Sequence, residues 1–168
     1  MSAFLRRLLA RLPPAVRLRF ERSERRSRRR QDRFARIFRH HREVWGGMES
    51  ASGRGSDLDN TATIRVALPA LIREWRIRTM IDAPCGDFHW MSRLDLGLER
   101  YIGVDIVAEL IELNRQKYRI ETVREFRVMD LVRDRLPAAD LILCRDCLVH
   151  LSLPEACAVI ENFRASGA

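Results

Sequence analysis

The chain has 168 residues, 46% apolar and 32% charged, which suits one soluble globular unit with a core of its own. Its net charge of +8 is unevenly divided: residues 1–42 carry 15 arginines against 3 acids, whereas residues 43–168 carry 16 basic against 20 acidic side chains. The basic character therefore belongs to an arm. No apolar run approaches the roughly 20 residues of a membrane span. Four cysteines without a secretory signal argue against a disulfide framework and for a reducing, cytoplasmic setting.

In the arm, Leu5, Leu8, Leu9, Leu12 and Val16 follow helical spacing among Arg6, Arg7, Arg11 and Arg17, and Pro13 and Pro14 should end that helix. A second basic helix is expected over 15–45. Residues 1–42 read either as a solvated tail or as a contact for anionic lipid, nucleic acid or an acidic partner, which would make the protein peripheral at a membrane surface. An acid-free start would also suit an organelle presequence. The expected division is an arm over 1–45, a Gly/Ser-rich connection over 46–56 and a ligand-binding domain over 57–168.

After the connection, Asp57 or Asn60 should cap a helix bearing Ile64, Leu68, Leu71, Ile72 and Trp75, bent at Pro69. The pattern then alternates: strand 79–83, helix 87–94, strand 101–105, helix 108–118, strands 125–129 and 141–144, and helix 153–163. Strands separated by helices predict an α/β fold with a parallel sheet. Ser152 and Glu155 form an S-x-x-E capping box for the last helix, and Gly167 is its expected stop. No internal repeat is visible.

Chemistry concentrates at the strand ends, where a doubly wound sheet binds its ligand. The first strand runs into Asp82-Ala83-Pro84-Cys85-Gly86-Asp87-Phe88, a tight turn. The second ends in Gly103-Val104-Asp105, a carboxylate able to accept from both hydroxyls of a ribose. The third ends in Asp130-Leu131, suited to an adenine amino group with an apolar neighbour against the ring. A dinucleotide cofactor would favour G-x-G-x-x-G and bare amides, and a carboxylate at Asp87 would repel its pyrophosphate. A ligand bearing an ammonium and a sulfonium suits that charge.

With these residues in view, 52–168 resembles class I S-adenosylmethionine-dependent methyltransferases, and DAPCGDFHWM, YIGVDI, LPAADLILCRDCLVHLS and the upstream GRGS tract together resemble one bacterial group of them. The resemblance implies a Rossmann-like doubly wound sheet and S-adenosyl-L-methionine as cofactor. By the same resemblance Asp82, Cys85, Gly86 and Asp87 are the cofactor loop, Asp105 the ribose acid, Asp130 and Leu131 the adenine contacts, and Arg54 a partner for the cofactor's carboxylate. Pro84 and Phe88 depart from the usual glycine positions of that loop. The loop after the fourth strand, 141–150, should face the acceptor, with His150 or Asp146 as base; His150 reads equally as a residue bonding backbone near Ser152. Its lack of an N/D-P-P-Y/F signature argues against nucleic-acid base methylation and leaves a small molecule or glycan as acceptor. His89 and Trp90 could wall the methionine pocket or serve as packing. The C-x-x-C at Cys144 and Cys147 lacks the second pair a structural zinc wants, so no metal is expected. The family's sheet continues beyond the fourth strand, so the expected product is a truncated domain of strand order 3-2-1-4. A non-catalytic adapter with a basic arm and a nicotinamide-dependent oxidoreductase are the other two readings.

Overall fold

The computed structural model describes residue 10 and residues 12–44, 49–120 and 122–168. The expected helical run at Leu5 to Leu9 lies outside these residues, as does 45–48 of the connection. The described elements are helix α1 (Pro14–Val44), a 3-10 turn (Arg54–Ser56), α2 (Ala62–Glu74), β1 (Thr79–Asp82), a second 3-10 turn (Met91–Arg93), β2 (Arg100–Asp105), α3 (Ala108–Tyr118), β3 (Arg124–Val128), β4 (Leu141–Leu143), a third 3-10 turn (Leu148–His150) and α4 (Leu153–Ser166).

The four strands form one parallel sheet in the order β3-β2-β1-β4, with Ile81 level with Ile102 on one side and Ile142 on the other. Alternation along the strands sends side chains to two separate cores. Met80, Tyr101 and Phe126 pack with Leu68 and Ile72 of α2 and Ile111 of α3. Ile81, Ile102 and Val104 pack against Val159 of α4. Helices thus cover both faces, and the carboxyl ends of β1 and β2 are left to meet a ligand. Glu155 closes the expected box at the start of α4, accepting the Ser152 N–H at 3.1 Å, and Gly167 ends the helix at φ 82°.

Two local expectations fail for physical reasons. Neither Asp57 nor Asn60 caps α2; its first turn follows Thr61, while Asp57 closes the preceding 3-10 turn and Asn60 donates to the Arg54 carbonyl at 2.8 Å. Residues 87–94 do not form an α-helix, only the short turn at Met91–Arg93. Phe88 takes φ 58°, which stops a right-handed helix, and its ring is 2% exposed in an aromatic cluster with Tyr101 at 5.0 Å, Tyr118 at 5.1 Å and Phe126 at 5.3 Å. Gly103 makes room for that cluster, since a Cβ there would lie 2.7 Å from the Phe126 ring.

The second half of α1 is not a solvated tail. Phe38, 6% exposed, packs with Val107 and Leu110, and Phe34 joins them. Arg30 lies beneath this helix with its side chain 8% exposed, donating to the two Asp130 oxygens at 2.6 and 3.3 Å and to Glu155 at 3.0 Å. Burial disfavours the charged guanidinium, but the bonds and charges of Asp130 and Glu155 outweigh it and raise its pKa. Farther along, Arg39 pairs with Glu109 at 3.1 Å, both largely exposed.

Removing one member of a buried ion cluster strands the others, so Arg30→Ala should cost about 3–5 kcal/mol in urea unfolding and expose the amides of α1 to hydrogen exchange. Arg39→Ala should cost no more than about 1 kcal/mol, because water screens the exposed pair; equal losses in the two variants would refute the anchoring role of Arg30. Gly86, at φ 52°, would place a Cβ 2.4 Å from the Ser52 hydroxyl. Gly86→Ala should therefore destabilise by about 2–3 kcal/mol, falling to the conformational part of about 1 kcal/mol when Ser52→Gly is already present. An unchanged cost in the Ser52→Gly background would show that the collision is not its source.

Candidate functional site

The turn after β1 is built by a second segment of chain. Asp87 accepts from the Ser50 hydroxyl at 3.0 Å, from the Ala51 N–H at 2.7 Å and from the His89 N–H at 3.2 Å, while its own N–H donates to the Ser52 hydroxyl at 2.7 Å. Residues 50–52 are thereby fastened beneath the loop 85–89. Asn114 of α3, 2% exposed, holds the other side by donating to the Gly86 carbonyl at 2.7 Å.

Above this loop, at the carboxyl ends of β1 and β2, lies a cavity of about 260 Å³. Asp82, Cys85, Gly86, Asp105, Asp130, Leu131, Asp146 and His150 all line it. Arg54 and Asp87 do not: Arg54 is exposed on its 3-10 turn, and the Asp87 carboxylate is spent on residues 50, 51 and 89. Trp90 is in the wall and His89 is outside it, paired with Glu49 at 3.2 Å. Sequence reasoning missed the contribution of α1, whose Arg30, Phe34, Ile37, Phe38 and His41 form one side, and it missed Arg145. Two signals were available: the Phe34, Phe38 and His41 spacing marks one helical face, and Arg145 adjoins Asp146.

Two carboxyls at the cavity floor are held in unusual states. Burial pushes Asp82 up to about 7, opposed by the Tyr101 hydroxyl, which donates to it at 2.6 Å, and aided by the charge of Asp105. Burial also pushes Asp105 up to about 6, against the backbone N–H groups of Val107, Gly86 and Ile106 that hold it down. Each can release a proton to gain a positively polarised ligand group. Burial likewise raises the Cys85 thiol well above its usual range, so it is no ready nucleophile.

The loop after β4 forms the opposite rim. Cys147 shares a thiol hydrogen bond with Cys144 that lowers the Cys144 pKa and raises that of Cys147. Asp146, at φ 52°, pairs with Arg145 at 3.2 Å and lies directly over Gly55, where a Cβ would approach its carboxylate to 2.8 Å. The GRGS tract is thus packed against the loop after β4. His150 is exposed at the rim, and its carbonyl accepts from Arg33 of α1 at 3.1 Å.

No protein-family model matches the chain, and no curated protein matches it significantly. Solved structures do. The N-methyltransferase NodS from Bradyrhizobium japonicum WM9, in complex with S-adenosyl-L-homocysteine, superposes with a TM-score of 0.57 at 16% identity over 67% of this chain and 59% of its own. Magnesium protoporphyrin IX methyltransferase from Synechocystis PCC 6803, with bound S-adenosylmethionine, gives 0.53 at 16% identity over 83% and 70%. The sugar N-methyltransferase KedS8 from Streptoalloteichus sp ATCC 53650 gives 0.52 at 18% identity over 68% and 46%. The chain therefore spans a little under three fifths of the length of NodS and less than half that of KedS8. At these identities the similarity is one of architecture: the chain has the Rossmann-like fold of class I S-adenosylmethionine-dependent methyltransferases.

Proposed function

We propose that this chain binds S-adenosyl-L-methionine and belongs to an enzyme that moves its methyl group to a small-molecule or glycan acceptor. The observation that carries this reading is that Asp82, Asp105 and Asp130, three carboxyls from three adjacent strand ends, converge on one cavity with Leu131 and Gly86 between them. That donor set fits the group: acceptors for ribose hydroxyls at Asp105, an apolar wall for a ring at Leu131, and negative charge for an ammonium near Asp82. When bound, the cofactor supplies a sulfonium methyl for in-line transfer to an oxygen, nitrogen or carbon nucleophile.

The chain's own residues position and desolvate. The cavity lies just below the roughly 300–1,000 Å³ of small-molecule sites, and Phe34 and Phe38 of α1 give one side of it an apolar lining. A well-oriented pair of reactants accounts for roughly 7–11 kcal/mol of barrier, so a strong base is not required. His150 sits at the rim where it can take a proton from an acceptor, whereas Asp146 is already paired with Arg145. Arg145, which lines the cavity, is a candidate partner for the cofactor's carboxylate beside Arg54. The sugar acceptor named for KedS8, with which the chain shares architecture, supports a small or sugar-like acceptor. The arginine-rich arm is proposed to contact an anionic surface.

One observation favours a second reading, a non-catalytic adapter. Both oxygens of Asp130 are already bonded by Arg30, which competes for the place of an adenine amino group.

Calorimetry with S-adenosylhomocysteine separates these readings. Binding is expected, and Asp105→Ala should weaken it at least about tenfold while circular dichroism stays unchanged, because hydrogen bonds to a charged group contribute about 1.5–3 kcal/mol each. No binding by the wild-type chain would favour the adapter, and binding of NAD in its place would favour an oxidoreductase. Because Asp105 must be ionised to accept both hydroxyls and titrates at about 6, affinity should fall about tenfold per pH unit below that value. For the ligand-free fold the sign is reversed: with folded pKa values above their unfolded ones, Asp82 and Asp105 contribute stability below about pH 4 that is lost as pH rises toward 6 to 7. A pH-independent affinity would remove Asp105 from the ribose role.

A further inference from the structure

We propose that the outward face of α1 is a docking surface for an anionic phospholipid bilayer, which narrows the anionic contact proposed above to one partner and one face. The inward face is accounted for by Arg30, Phe34, Phe38 and His41 at the cavity. On the opposite side Arg22, Arg25, Arg26, Arg29 and Arg36 recur at helical spacing and are all exposed, and none is ion-paired among the described residues. The stripe runs about 21 Å along the helix axis.

Like charges three and four residues apart destabilise a helix by a few tenths of a kcal/mol per pair. Glu21 and Glu24 are paired with Arg17 and Arg133 and not with these arginines, so the stripe carries a standing cost that an anionic partner would relieve. Four of these guanidinium groups, those of Arg22, Arg25, Arg26 and Arg29, alone line a surface depression of about 280 Å³, so several could grip neighbouring phosphates at once.

The chemistry beside the stripe selects a bilayer. At the start of α1, Leu18, 47% exposed, lies four residues before Arg22 on the same helical face, where an aliphatic side chain suits the boundary between headgroups and acyl chains. Single-stranded RNA would call for aromatic platforms. The phenylalanines Phe34 and Phe38 are instead packed beside Val107 and Leu110.

The test is flotation of the full chain with vesicles of phosphatidylcholine alone and with phosphatidylglycerol added, at low and high salt, with single-stranded RNA as competitor. Expected is binding only to the phosphatidylglycerol vesicles, released by salt. The fourfold variant R22Q/R25Q/R26Q/R29Q should lose about fivefold in affinity per arginine, several hundredfold together. Absence of binding, binding by the variant equal to wild type, or displacement from vesicles by RNA would each overturn the proposal. S-adenosylhomocysteine titration of the same variant reports on the cavity separately: retained affinity shows it is folded, and a chain that binds vesicles but not S-adenosylhomocysteine would sink the methyl-transfer reading alone.

Discussion

The arrangement of the site depends on one buried ion cluster. Arg30 reaches from α1 under its own helix to meet Asp130, just beyond β3, and Glu155, in the first turn of α4. Taking three charges out of water costs several kcal/mol per ion, and only close geometry with more than one hydrogen bond offsets it. Arginine meets that demand because its planar fork can serve two carboxylates at once. With the cluster formed, α1 is fixed across the carboxyl edge of the sheet, and the phenylalanines one turn and two turns farther along fall against Val107 and Leu110. Glu155 serves twice, closing the start of α4 and holding the arm.

The turn after β1 shows a second economy. A loop of this class has to approach its ligand by backbone, which favours glycines, yet here proline, cysteine and phenylalanine stand among them. The structure resolves this by dividing the labour. Gly86 takes φ 52°, and Ser52 occupies the space that a side chain there would fill. Phe88 leaves the loop and enters the aromatic cluster with Tyr101 and Phe126, so the residue that spoils the helix also anchors the turn. Asp87 anchors residues 50 and 51 by accepting from the Ser50 hydroxyl and the Ala51 N–H.

Charge is sorted by layer. The cavity floor is acidic and dry enough to push Asp82 and Asp105 toward neutrality, α1 carries Arg30 down to it and Arg33 to its rim, and Arg22, Arg25, Arg26, Arg29 and Arg36 are exposed. Such sorting keeps the strongest positive field away from the acidic floor, since exposed charges more than about 8–10 Å apart are largely screened at physiological salt.

The sheet, its order and the position of each acid at a strand end were legible in the sequence, because burial of β1 and β2 on both faces demands short apolar runs and the spacing of Asp82, Asp105 and Asp130 follows from strand and helix lengths. The extent of α3 and the box at Ser152 were legible for the same reason: both are set by contacts within a few residues. What only the tertiary structure decided is everything that joins distant segments. Arg30 and Asp130 are a hundred positions apart, Ser50 and Asp87 thirty-seven, and Gly55 meets Asp146 across ninety-one. No local periodicity encodes such pairs. An arginine in a basic run looks like its neighbours until the fold selects one of them to be buried, and the helix expected after Asp87 was lost because the burial of Phe88 outweighed local propensity.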